Sequence, residues 1–256
     1  MLMKRSVGKV YIVGAGPGAA DLITLRGAKI LERADIVFHD ALVQPGVLAL
    51  ALRAEKIEVG KRCGRYVTAQ QFICKRLVDA ARKYGVVVRL KGGDPMLFGR
   101  AQEEIAALEE AAIPYEVVPG VTAALAASAE AGISLTQRGA ARSVACVTAR
   151  VGEGEAPSDW AKNAAAADTA VIYMGAGQAA AVAAALIAAG APRTLPVLVV
   201  ENASLPDSRR IALTLAELPQ ISQLGLTGPA VIMLGRVFAA ALAATESASA
   251  PACKTA

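Results

Sequence analysis

Apolar positions along the chain gather into short blocks of strand length, separated by longer stretches that alternate polar and apolar residues at helical spacing. Blocks rich in Val, Ile and Leu predict strands at residues 10–13, 35–38, 56–59, 86–90 and 115–118. Between them the spacing predicts helices at 24–33, 68–84 and 100–111. Thr68 is a suitable N-cap for the second of these, and Gly85 stands where a helix ends in a left-handed glycine. A further helix is predicted at 121–130. The second half then alternates again, with strands at 143–148, 169–174, 196–200, near 211–213 and at 230–234. Helices are predicted there around Trp160 and at 178–189, with a short one before the last strand.

Strands that alternate with helices, and that are apolar nearly throughout, imply α/β architecture with a parallel or mostly parallel sheet. Pro119-Gly120 punctuates the chain near its middle. The expected organisation is therefore two α/β domains, residues 1–119 and 120–244, with a ligand cleft between them. Residues 245–256, rich in Ala, Ser and Thr, are expected to be a disordered tail. No solenoid repeat is present.

A length of 256 residues accommodates two domains of about 100–130 residues each. The 55% hydrophobic content, carried by Ala, Val, Leu and Ile with only 4% aromatics, excludes a disordered chain and a disulfide scaffold. Mean hydropathy of +0.45 raises the membrane question. The longest uncharged run of interest, 179–191, is mostly Ala, whereas a span needs about 20 strongly apolar residues. The basic start is followed by only three apolar residues, which does not make a signal peptide. Cys63, Cys74, Cys146 and Cys253 form no metal spacing, and His39 is the single histidine, so no metal site is expected. Such cysteines point to a cytoplasmic protein.

Charge is unevenly placed. Residues 60–100 contain ten Lys or Arg against two acids, Asp79 and Asp94, a local surplus of eight that exceeds the +5 of the whole chain. Lys75, Arg76, Arg82 and Lys83 fit solvated helix faces. Lys61, Arg62, Arg65, Lys91 and Arg100 sit beside glycine loops at strand ends, where a basic cluster favours a polyanionic ligand.

The loop Gly14-Ala15-Gly16-Pro17-Gly18-Ala19 follows a strand and matches the dinucleotide-binding pattern, with Asp40 near the place of the ribose-binding acid. In that pattern the helix begins on the glycines, so that its amides bind the pyrophosphate. Here residues 19–23 intervene before a helix starting at Thr24, and Pro17 disturbs the glycine packing. Both details weigh against a dinucleotide. A second loop, Lys91-Gly92-Gly93-Asp94-Pro95, also follows a buried strand, and paired glycines let backbone groups approach a ligand. Similar segments recur at Pro119-Gly120-Val121-Thr122-Ala123, Tyr173-Met174-Gly175 and Gly228-Pro229-Ala230.

Taken together these motifs resemble those of the tetrapyrrole methylases. The resemblance is carried by Val13-Gly14-Ala15-Gly16-Pro17-Gly18 and by the run from Asp21 through Leu22, Ile23, Thr24, Leu25 and Arg26 to Gly27. It continues in Val59-Gly60-Lys61-Arg62, Arg89-Leu90-Lys91-Gly92-Gly93-Asp94-Pro95 and Phe98-Gly99-Arg100. Val118-Pro119-Gly120-Val121-Thr122-Ala123, Tyr173-Met174-Gly175, Val200-Glu201-Asn202 and Gly228-Pro229-Ala230 complete it, so nearly the whole chain is covered. The set is most similar to the members that methylate uroporphyrinogen III at C2 and C7 to precorrin-2, feeding sirohaem or cobalamin synthesis. A later corrinoid-pathway precorrin methyltransferase of the same fold is the alternative.

The resemblance implies a homodimer that uses S-adenosyl-L-methionine as methyl donor, releases S-adenosyl-L-homocysteine and needs no metal. It implies cofactor contacts at Pro17, Gly92, Gly93, Asp94, Leu97, Thr122, Ala123, Met174 and Ala203. Proton transfer falls on Asp40 and Lys61, and catalysis with substrate binding on Arg100, with Glu103 and Met174 also toward the substrate. Relatives commonly have Gly where this chain has Ala203, His where it has Tyr66, and Ala where it has Cys63. The implied partner is a small-molecule tetrapyrrole, with neither nucleic acid nor membrane; the scarcity of aromatics argues against a stacking platform for RNA. No dehydrogenase or ferrochelatase segment precedes the motifs, so a methylase not fused to those activities is expected.

Overall fold

The computed structural model describes residues 7–59, 66–150, 156 and 158–249, with the backbone alone at 66–69 and 246–249. The chain divides into two compact units between Ala123 and Ala124. Residues 120–123, placed in the second domain by sequence, group with the first. The reason lies in Gly120, whose N–H donates to Asp94 Oδ2 at 2.9 Å and whose Cα packs on the Gly14 backbone.

The first unit runs β1 (Lys9–Gly14), α1 (Leu25–Glu32), β2 (Ile36–His39), α2 (Pro45–Leu48), β3 (Glu55–Glu58), α3 (Tyr66–Lys83), β4 (Val86–Lys91), α4 (Ala101–Glu110) and β5 (Tyr115–Val118). Its five described strands form a wholly parallel sheet in the order β3-β2-β4-β1-β5. Period-two alternation divides the strand residues between two cores. Val10, Ile12, Ile36, Phe38 and Val87 pack with Ile73, Leu77, Ile105 and Leu108 of α3 and α4. Tyr11, Val13, Val37, Val88 and Leu90 pack with Ile30 and Leu31 of α1 and Val47 of α2 on the other face. Burial on both faces explains why these strands read as continuous apolar runs.

The second unit contains α5 (Ala123–Ala131), which begins at the division, then β6 (Val144–Thr148), α6 (Trp160–Ala166), β7 (Thr169–Tyr173), α7 (Ala179–Ala188), β8 (Pro196–Glu201), β9 (Arg209–Thr214), β10 (Ala230–Gly235) and α8 (Ala239–Ser249). Its sheet order is β6-β7-β10-β8-β9. It is mixed: β6 and β7 are parallel, β10 is antiparallel to both β7 and β8, and β9 is antiparallel to β8. Ile172, Val197, Val199, Ile232 and Leu234 form one core with Val182 and Leu186 of α7. α8 packs against β8 and β9.

Three local expectations are corrected, and one element is added. The described part of α3 already includes Tyr66 and Val67, so Thr68 lies inside the helix and does not cap it; neither Tyr66 nor Val67 is a helix breaker. Gly85 is not left-handed; instead Asp35 Oδ2 accepts from the N–H groups of Gly85 and Val86 at 2.9 and 2.8 Å, leading the chain straight into β4. Residues 245–249, assigned to the tail, continue α8, because its Ala-rich run sustains a helix. α2 was not foreseen, being a single turn opened by Pro45. Residues 250–256 lie outside the described residues. Among the described residues no helix is long and apolar enough to cross a membrane.

Candidate functional site

Because every strand of the first sheet is parallel, the carboxyl ends of β1, β2, β4 and β5 share one edge, where α/β sheets bind ligands. The loops that leave this edge are tied together through their backbones. Gly16 N–H donates to Gly93 O at 3.2 Å and Gly93 N–H returns a bond to Gly16 O at 2.7 Å. Gly93 adopts φ +67, a left-handed conformation that glycine alone takes without strain. A Cβ at Gly120 would overlap the Gly93 carbonyl oxygen, so the loop after β5 can lie this close only as glycine. Asp94 joins the same loops, with Oδ2 accepting from Gly120 N–H and Oδ1 from Met96 N–H at 2.8 Å. Pro17, Gly92, Gly93, Leu97, Thr122 and Ala123, all expected at a ligand, are half-buried along this edge.

The delay after the first glycine loop is a short 3-10 turn, Ala20–Leu22. α1 starts only after it, with Thr24 Oγ1 accepting from Gly27 N–H at 3.1 Å as N-cap. No helix N-terminus therefore meets Gly16 or Gly18 in the manner a pyrophosphate requires.

Behind the glycine loops lies a buried charge network. Arg89 and Lys91 alternate with Val88 and Leu90 on β4, which directs them to the same sheet face as Val87, beneath α3 and α4. Glu104, completely buried in the first turns of α4, accepts from Arg89 Nε at 2.9 Å, from Lys91 Nζ at 3.0 Å and from Gln70 Nε2 at 3.2 Å. Arg89 Nη2 donates at 2.5 Å to Oδ1 of Asp40, which follows β2 and is about one-third exposed. Two cations thus face two carboxylates. Burial works against the Arg89 charge, but Asp40 and Glu104 outweigh it and hold the guanidinium above its ordinary pKa. Burial, followed by repulsion from Arg89, pushes Lys91 below the ordinary lysine value despite Glu104. Lys91, expected among the cations for a polyanion, is instead turned inward onto Glu104.

Arg100 enters α4 at φ 54, left-handed, and its guanidinium forks onto Glu103, with Nε–Oε1 at 2.6 Å and Nη2–Oε2 at 2.8 Å. Both side chains are about half exposed. Arg100 and Glu103 thus form one exposed unit, distinct from the buried Glu104 next to it. Further along α3, Arg76 lies over the rings of Phe38 on β2 and Phe72 on its own helix, and Arg82 pairs with Asp79 at 3.9 Å. Lys61, with Arg62, Cys63 and Arg65, lies outside the described residues.

In the second unit the antiparallel β10 brings its amino end to the edge where β7 and β8 finish. Met174, expected as the last residue of its strand, leaves β7 in a left-handed conformation at φ 56 and is exposed. Asn202 and Ser204 after β8 are also left-handed, at φ 51 and 71, with Ala203 buried between them. Ser204 N–H donates to Glu130 Oε2 at 2.7 Å, and Tyr173 Oη accepts from Ala124 N–H at 3.2 Å. The buried Glu201 Oε1 gathers the N–H groups of Thr227 and Gly228 at 2.6 and 2.7 Å, fixing the turn that feeds β10. Of the non-glycine residues at positive φ among the described ones, all but Ala112 lie in loops carrying the motifs. Strained backbone of this kind gathers at ligand sites.

Arg89 and Glu201 stand within the sequence motifs, but sequence reasoning gives them no role in the site, and it misses Glu104 altogether. A signal was available for the first: an arginine inside the Val-Val-Val-Arg-Leu run of a central strand.

The family profile "Tetrapyrrole (Corrin/Porphyrin) Methylases" matches residues 9–219. Siroheme synthase 1 of Klebsiella pneumoniae is 46% identical over 235 residues, which cover 91% of this chain and 50% of that protein. The chain thus spans about half the length of the curated relatives it matches. Among solved structures, uroporphyrin-III C-methyl transferase from Thermus thermophilus complexed with S-adenyl homocysteine is 40% identical, with a TM-score of 0.80 covering 91% of this chain and 100% of that one. Cobalt precorrin-4 methyltransferase, a cobalamin biosynthetic enzyme, is 30% identical with a TM-score of 0.79, covering 90% of this chain and 95% of that one.

Proposed function

The chain belongs to the tetrapyrrole (corrin/porphyrin) methylases, and on that premise we propose that it transfers methyl groups from S-adenosylmethionine to C2 and C7 of uroporphyrinogen III. The observation that carries this reading is the glycine-lined edge of the first sheet, with the half-exposed Arg100 and the Arg89-held Asp40 beside it. Higher identity to the uroporphyrin-III enzyme than to the cobalt precorrin-4 enzyme, 40% against 30%, favours the earlier substrate.

S-adenosylmethionine supplies an activated methyl on its sulfonium. The half-buried glycine loops suit a ligand of this kind, because their backbone groups can approach it without intervening side chains. Its contacts are proposed at Pro17, Gly92, Gly93, Leu97, Thr122, Ala123, Met174 and Ala203. Asp94 is assigned a bracing role, because both of its oxygens already hold loop amides. The substrate is an electron-rich macrocycle carrying carboxylates around its rim. Arg100 offers a fork for one of them, a geometry lysine does not reproduce, and Glu103 orients that fork. When the new carbon–carbon bond forms, the macrocycle must lose a proton, and the Asp40 carboxylate is assigned as its acceptor, with Lys61 as a second proton-transfer group.

Titration calorimetry tests the donor directly. Binding of S-adenosylhomocysteine in the micromolar range, with no heat from NAD, is the expected result; NAD binding without S-adenosylhomocysteine binding overturns the reading.

A further inference from the structure

Arg89 occupies a position that a central parallel strand ordinarily gives to an aliphatic residue. Its side chain is only 3% exposed, and removing one partner from a buried ion pair is costly, whereas the intact pair adds little stability of its own. A role beyond stability is therefore the natural account of its presence. Each part of the guanidinium is engaged in a different direction. Nη2 holds Asp40 after β2, Nε holds Glu104 on α4, and Nη1 donates to Leu90 O at 3.2 Å, which fixes the plane of the group. Glu104 is in turn gripped by Lys91 and Gln70, so it is anchored independently of Asp40.

We propose that Arg89 is a positioning residue for the methylation: it braces the Asp40 carboxylate against Glu104, and so sets the proton acceptor in register with the helix that Arg100 opens. A lysine at this position keeps the charge but cannot span both carboxylates in one plane. Glu104 and Lys91 act as the abutment: Lys91 Nζ bonds both Glu104 oxygens, while the side-chain hydrogen bond to the Asp40 carboxylate comes from Arg89. The inference rests on the assignment of Asp40 as proton acceptor in the proposed reaction.

The test is a double-mutant cycle. Single-turnover methyl transfer from labelled S-adenosylmethionine to uroporphyrinogen III is followed for the unaltered protein, Arg89→Lys, Asp40→Asn and the double variant. Arg89→Lys is expected to slow transfer about tenfold or more, while the Kd for S-adenosylhomocysteine and the KM for the tetrapyrrole change by less than about twofold. In the Asp40→Asn background the same change is expected to matter less than about twofold, because the group that Arg89 positions no longer takes the proton. An equal loss in both backgrounds, or an unaltered rate in Arg89→Lys, overturns the inference while leaving the proposed reaction standing. Should Arg89→Lys fail to fold, Arg89→Met combined with Glu104→Gln keeps the buried charge balanced and enters the cycle in its place. If the unaltered protein transfers no methyl group to uroporphyrinogen III, the functional reading fails and this inference falls with it.

Discussion

Arg100 combines two features whose effects can be separated. Its backbone is left-handed, a conformation that costs a residue with a Cβ about 1–2 kcal/mol, and its guanidinium is bound to Glu103 in an exposed fork worth little to stability. Arg100→Gly therefore relieves the backbone while removing the proposed carboxylate clamp. Turnover of uroporphyrinogen III is expected to fall at least about a hundredfold, with S-adenosylhomocysteine affinity unchanged and stability to urea unchanged or raised by about 1 kcal/mol. A glycine variant that turns over normally removes Arg100 from substrate binding. The fork itself was legible in the sequence, since Arg100 and Glu103 are three residues apart at a helix start. The Arg89–Glu104–Lys91 network was not, because its partners come from β2, α3, β4 and α4, and nothing in a linear chain says which of several acids a buried arginine will meet. Lys91 shows the consequence: beside a glycine loop it reads as a ligand cation, whereas the fold turns it inward.

Elements were the most legible scale, because periods of two and 3.6 mark which faces are buried. The strands of the first unit came out close to their expected limits, and the gap between the glycine loop and α1 is filled by the turn Ala20–Leu22. Element ends were less legible, since they depend on side chains arriving from elsewhere. Asp35 leads the chain into β4 from fifty residues away in sequence. Asp168 plays the same part at the start of β6, where one oxygen accepts from Arg142 N–H, Ser143 N–H and Ser143 Oγ at 2.9–3.0 Å. Those bonds, led by the Arg142 N–H, lower its folded pKa below the ordinary aspartate value. A depressed folded pKa stabilises the protein above the unfolded value, and that contribution is lost as the pH falls toward the folded one. Asp168→Asn should accordingly lower stability at neutral pH and flatten the acid limb in that window, the two proteins converging at acid pH. Urea unfolding as a function of pH measures this, and identical acid limbs for the two proteins would refute the assignment.

For the whole molecule, the glycine motifs were informative as a set. A single loop after β1 admitted a nicotinamide cofactor, and the repetition of such loops at β4, β5, β7 and β10 made the family recognisable. Topology was only partly legible. Alternation of apolar strands with helices implied parallel pairing, and the first unit obeys, but the second reverses β9 and β10, and the reversal of β10 brings Gly228-Pro229-Ala230 to the edge shared by Met174 and Ala203. In the proposed function these loops and charges serve methylation of an early tetrapyrrole. Its most direct test is the mass of the product formed from uroporphyrinogen III with excess S-adenosylmethionine under anaerobic conditions. The proposed reaction adds two CH2 units to the macrocycle, each methyl arriving as one proton leaves; a product of unchanged mass rules it out.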